Sequence, residues 1–148
     1  MGARITGSDW LPGGLTVDDA VVFARALKAL GCDYVCVSSG GIAAKAPIKL
    51  GPGYQVPFAA KVRQEAGIVT QAVGLIVEPS QAEAVIASGE ADWIAIARGF
   101  IDDPRWVWHA AEALGAGAAY PPQYLRGRPE VWPGAGYLRG DAAKAKVA

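Results

Sequence analysis

Apolar positions along this chain alternate between two spacings. Short runs of nearly continuous apolar residues are separated by longer stretches in which they recur every three to four positions. The first kind reads as strands covered on both faces, the second as helices with one buried side. Arg4-Ile5-Thr6 is a short strand, followed by Gly7-Ser8-Asp9 and a Pro12-Gly13-Gly14 turn. Thr16 and Asp19 have capping-box spacing and open a helix that places Ala20, Val21, Ala24, Leu27 and Leu30 on one side, ended by Gly31. Tyr34 to Ser38 is the second strand, left through Ser39-Gly40-Gly41 into a long loop carrying Pro47, Gly51, Pro52 and Gly53. Loops of that length in compact domains are usually functional.

Pro57 suits the first turn of a helix through Ala59, Val62 and Ala66, closed by Gly67. Ile68 to Val73 is the third strand, its ladder ending at Gly74. Pro79-Ser80 opens a helix with Ala82, Val85 and Ile86 inward, closed by Gly89. Trp93 to Ala97 is the fourth strand. Asp103-Pro104 starts a last strong helix with Val107, Ala110, Ala111 and Leu114 as its buried stripe. Beyond Ala116 the composition shifts. Pro121 to Arg126 reads as extended, and the Gly-, Pro- and Ala-rich remainder as an irregular tail with a disordered end. Two domains follow, 1–118 and 119–148.

Strand and helix thus alternate four times, with strands about 25 to 35 residues apart, which means a parallel sheet with right-handed crossovers. A complete (β/α)8 barrel needs about 250 residues. The expected class is α/β, a (βα)4 half of a TIM barrel, with two open sheet edges that invite pairing. The ends of the third and fourth strands, Ala72 to Ile76 and Asp92 to Gly99, hold small residues and the arginine Arg98. Free N–H groups beside a guanidinium make a phosphate cradle, and the last strand ends of a barrel are its usual place.

Composition narrows the partners. Fourteen acids balance fourteen bases in 148 residues, so no global field draws nucleic acid or an anionic membrane. The N-terminus lacks a signal-peptide core, and no apolar run approaches the ~20 residues of a membrane span; the expected location is cytoplasmic. Cys32 and Cys36 read as reduced, packed thiols. No metal-ligand set is present, and His109, like Trp106 and Trp108, reads as a helix-face residue.

Several segments occur in one order: Ser8-Asp9-Trp10, Ser38-Ser39-Gly40-Gly41, Gly51 to Ala59, Ala72 to Ile76, Ala91-Asp92, Ala97-Arg98, Asp103-Pro104 and Pro121 to Arg126. From about Arg4 to about Arg126 this set resembles the C-terminal half of the Old Yellow Enzyme family, in its thermophilic-like subclass of ene-reductases. The resemblance implies an FMN-containing (β/α)8 barrel that takes hydride from NADPH or NADH and delivers it to an activated C=C bond of a small molecule. It implies that Arg4 lies beside the flavin pyrimidine, where a cation stabilises the reduced ring. It implies that Gly74 approaches the FMN phosphate and that Arg98 grips it. Ala97 departs from the family's Gly-Arg pair and adds a methyl beside that phosphate. Ser38, Ser39 and Gly40 leave the second strand on the same rim, to contact the cofactor or to shape the loop, with Ser39 the expected cofactor contact. Arg126 matches an arginine that reaches a neighbouring subunit's active site, which implies a homo-oligomer.

The family's substrate-binding histidine pair and proton-donor tyrosine belong to the other half of the barrel, so no catalytic residue is assigned here. Three functions stay open. The chain is half of an ene-reductase, completed by an N-terminal half or a second copy. Or it is a non-catalytic module that binds FMN or another phosphate ligand. Or it is an inactive remnant. The start just before the first strand fits a truncated gene or a separately encoded half.

Overall fold

The computed structural model describes residues 1–138; the expected disordered end of the tail lies outside the described residues. The chain divides into two compact units, Met1–Leu114 and a second that begins at Gly115. In the first unit, β1 (Gly2–Thr6), β2 (Tyr34–Ser38), β3 (Val69–Ala72) and β4 (Trp93–Ile94) form one sheet in sequential order. Every pair is parallel, with Arg4 opposite Cys36, Cys36 opposite Gln71 and Gln71 opposite Trp93. Helices α1 (Val17–Ala29), α2 (Val56–Ala66) and α3 (Pro79–Ala87) cross between successive strands. This is a run of (βα) repeats whose sheet stays open: β1 pairs only with β2, and β4 only with β3, among the described residues.

One face of the sheet is covered. Ile5, Val35, Val37, Thr70 and Ala72 meet Ala20, Val21 and Ala24 of α1 and Ala59 and Val62 of α2. The small alanines let α1 and α2 approach the strands closely, and the β-branched valines fill the pleat. On the other face Trp93 is half exposed, and its ring meets Tyr34 edge-on with centroids 4.9 Å apart. Cys36 lies in that row as a free, buried thiol, and burial pushes its pKa up against the pull of the neighbouring Arg4.

Local chemistry accounts for the helix ends. Asp19 accepts the Thr16 N–H at 2.8 Å and its hydroxyl at 2.7 Å, so the expected capping box forms. Those two bonds hold the Asp19 carboxyl below its usual range. Gly67 ends α2 in the left-handed conformation at φ 61°, where a Cβ is costly.

Several expectations are corrected. Leu30 is the C-cap of α1 and is 83% exposed, not inward. Asp18, Arg25 and Lys28 reach toward α2, through Lys61, the Glu65 carbonyl and the Gly67 carbonyl. At 100° per residue, Phe23 and Leu30 therefore point the other way, past the β1 edge. On α3, Val85 is buried but Ile86 is partly exposed. The strand expected over Trp93–Ala97 is shorter, because Arg98–Asp102 turns at once into a short helix, α4.

The last helix of this unit, α5 (Trp106–Ala113), starts after Asp103-Pro104 rather than at it. Asp103 Oδ1 accepts the Arg105 N–H at 2.9 Å and holds the intervening turn. Of its expected stripe only Ala110 is fully buried; Val107 and Leu114 are about half exposed. Trp106 turns toward α3, donating its indole N–H to the Val77 carbonyl at 2.9 Å. Val107 and Leu114 are about a quarter-turn away from it.

In the second unit, Pro122–Gly127 forms a 3-10 helix rather than an extended segment. Pro121 sets the extended entry and the Tyr124 N–H closes on its carbonyl at 2.9 Å. A short helix, α6 (Ala135–Leu138), interrupts the expected irregular tail.

Candidate functional site

The C-terminal ends of the four strands surround a cavity of about 420 Å³ in the first unit. Arg4 comes from β1, Ser38 and Ser39 from the end of β2, and Val73 to Val77 from the turn after β3. Ala95 to Gly99 supply the wall after β4. The long loop after β2 is the remaining wall, through Leu50, Tyr54 and Gln55.

The turn after β3 is shaped by backbone conformation. Gly74 has φ 116° and Leu75 φ 52°, so the chain takes two consecutive positive-φ steps around the cavity. A Cβ at Gly74 would lie 2.7 Å from Gln55 Nε2 and 3.0 Å from the Tyr54 ring. Only glycine satisfies both the conformation and the space. Its carbonyl accepts the Gly53 N–H at 2.9 Å, which ties the long loop to the strand end. Ala97 differs: φ is −102°, and the residue is exposed. A methyl is compatible with the backbone there.

Charge on the rim is carried by two exposed arginines. Arg4 Nη2 donates to Ser38 Oγ at 2.8 Å. Arg98 opens α4 and makes no ion pair among the described residues. Its guanidinium remains available to an anion in the cavity. Between them lies Gln55, 3% exposed, the N-cap residue of α2. Its Oε1 accepts the hydroxyl of Ser39 at 2.6 Å and, more weakly, that of Ser38 at 3.4 Å.

Of the residues expected at the site, Arg4, Ser39, Gly74, Ala97 and Arg98 all line this one cavity. Arg126 is exposed in the 3-10 helix of the second unit. Gln55, Leu50 and Leu75 were not singled out by their sequence. Gln55 lies inside one of the segments that carry the resemblance, but nothing in its local sequence marked it as a site residue. His109 stays outside the cavity lining, its Nδ1 2.6 Å from Asp103 Oδ2. No group of three or more metal-ligating side chains occurs among the described residues, and no described helix is long and apolar enough to cross a membrane.

Comparison with known proteins gives a consistent result. Residues 1–116 match the profile of the NADH:flavin oxidoreductase / NADH oxidase family. An NADPH dehydrogenase of Geobacillus thermodenitrificans is 48% identical over 124 residues, which is 84% of this chain and 36% of that protein. One from another Geobacillus strain is 46% identical over the same span. An NADPH dehydrogenase of Listeria monocytogenes is 42% identical over 123 residues, 83% of this chain and 36% of that protein. The chain thus spans about a third of the length of the curated relatives it matches.

Proposed function

This chain belongs to the NADH:flavin oxidoreductase / NADH oxidase family, and we propose that it forms the phosphate and pyrimidine side of an FMN site in an NAD(P)H-dependent reductase of activated C=C bonds. The observation that carries this reading is convergence. Arg4, Gly74 and Arg98 lie far apart in sequence and line one cavity at the strand ends. The residues fit the group: Gly74 leaves its backbone open to close approach, and Arg98 supplies an unpaired fork for phosphate oxygens. Arg4, held by Ser38, supplies a fixed cation for the pyrimidine. Bound FMN would supply the hydride chemistry between a nicotinamide and the substrate. Ser38 orients Arg4, and Leu50, Leu75 and Ile76 form the apolar part of the lining.

On this reading the chain works as one half of a barrel, completed by an N-terminal half or by a second copy. Two exposed apolar pairs support it: Phe23 with Leu30 at α1, and Val107 with Leu114 at α5. A closed ring places a neighbouring helix at both positions. The second reading, a non-catalytic binder of FMN or another phosphate ligand, is favoured by the cavity itself. Among the described residues its lining offers cations and the Tyr54 phenol, but no carboxylate and no histidine.

The test is the visible spectrum of the purified chain after FMN addition and gel filtration. A retained flavin band supports the site, and bleaching by NADPH separates reductase from binder. A colourless protein that takes up flavin only with an added N-terminal half supports the half-barrel form. A protein that stays colourless in both cases overturns the reading.

A further inference from the structure

We infer that Gln55 is a ligand-contacting residue of this cavity, a neutral donor that meets the phosphate ester of the bound ligand beside Gly74. The inference rests on the FMN-site reading and adds a residue to it. Three observations point there. Gln55 is polar and 97% buried by complement of its 3% exposure, a costly placement unless the carboxamide is used. Its oxygen is committed, since Ser39 donates to Oε1 at 2.6 Å and Ser38 at 3.4 Å. With the oxygen held on that side, the NH2 is turned to the other, toward Gly74.

Gly74 completes the argument. The position its missing Cβ would take lies 2.7 Å from Gln55 Nε2. The glycine thus leaves room for the amide as well as for the backbone turn. Both residues line the cavity together with Arg98. A neutral donor and a guanidinium lining one cavity match a phosphate ester, which has more acceptor lone pairs than one arginine can satisfy. The serines play a different part. Arg4 donates to Ser38, and the single proton of each hydroxyl goes to Gln55, so Ser38 and Ser39 hold the amide rather than the anion.

The carrier of the amide is rigid. Gln55 caps α2, its carbonyl accepts the Phe58 N–H at 3.1 Å, and Pro57 stiffens the first turn. The donor is therefore in place before a ligand arrives, and little ordering is needed on binding.

The test is a titration of the full ligand-free chain followed by ¹⁵N–¹H NMR of its backbone and side-chain N–H groups. Inorganic phosphate, FMN and riboflavin are added in separate arms. The expected result is a saturable shift of the Gln55 NH2 pair with phosphate and with FMN, and none with riboflavin. Gln55→Leu should weaken FMN binding about tenfold, the lower end for a hydrogen bond to a charged acceptor, and leave riboflavin binding unchanged. Gln55→Met serves the same comparison if the leucine variant does not fold. If Arg98 and Gly74 signals move with FMN while Gln55 stays still, the inference is overturned and the FMN-site reading stands. Equal shifts with FMN and riboflavin also overturn it, because the amide then reads the polyol. If no cavity signal moves at saturating FMN, both the inference and the reading beneath it fail.

Discussion

Arg63 and Asp92 join α2 to the segment that leads into β4: Arg63 Nη2 lies 3.0 Å from Asp92 Oδ1, while Asp92 Oδ2 accepts the Thr70 N–H at 2.9 Å. One carboxylate thus ties a helix, β3 and the approach to β4 together. Partial burial pushes the Asp92 carboxyl up, but the Arg63 and Thr70 hydrogen bonds outweigh it and leave it below its ordinary value. A depressed folded pKa stabilises above the unfolded value, about 3.9, and that contribution fades as pH falls through the folded value. Asp92→Ala should cost about 1–3 kcal/mol at neutral pH, mainly because it strands the Thr70 N–H. Urea unfolding from pH 7 to pH 2 checks this: the gap should narrow toward the acid end as the Arg63 ion pair is lost, without closing, because a protonated carboxyl still accepts the Thr70 N–H. A constant gap would remove the ion pair as the cause.

Arg98→Ala should weaken FMN binding by about 10- to 150-fold, since a charge-assisted contact is worth roughly 1.5–3 kcal/mol. Quenching of flavin fluorescence measures it. Unchanged affinity would move the phosphate elsewhere. Because Arg98 is exposed and outside any ion pair among the described residues, the unfolding midpoint should hardly change.

Gly74→Ala should behave differently from Arg98→Ala. At φ 116° and 2.7 Å from Gln55 Nε2, the methyl is strained by its backbone and displaces the amide. The conformational part alone is about 1–2 kcal/mol. Both stability and FMN affinity should fall, read by thermal unfolding and the same flavin titration. A variant with normal stability would mean that the turn after β3 relaxes freely.

Association should depend on the open edges. Phe23→Lys with Leu30→Lys places charge on the exposed apolar pair beyond β1. Sedimentation velocity on the wild-type chain, alone and with an N-terminal half, should show a paired species that the double variant loses. A dilute wild-type monomer that pairs with neither would count against the half-barrel.

Three of the residues mis-assigned from sequence share a cause. Leu30, Val107 and Leu114 have the right spacing for a buried stripe, yet they are exposed on the two outermost helices. Periodicity reports that a side is apolar, not what covers it. The same limit hid Gln55. Its polarity gave no hint of burial, because burial came from Ser39 and Gly74, which lie 16 and 19 positions away in the chain.

Much was decided by local chemistry. The Thr16–Asp19 cap, the left-handed Gly67, Pro57 in the first turn of α2 and the apolar run through Val35 and Val37 each act over a few residues, so short stretches of chain set them. Alternation of those elements was enough for a parallel sheet in sequential order. The cavity needed the folded chain. Its walls are three strand-end turns and a loop without regular structure, and their approach depends on long-range contacts such as Gly53 to Gly74 and Ser39 to Gln55. The early end of β4, the turn of Arg98 into α4, and the exposure of both edge helices follow from packing that no short window of sequence contains.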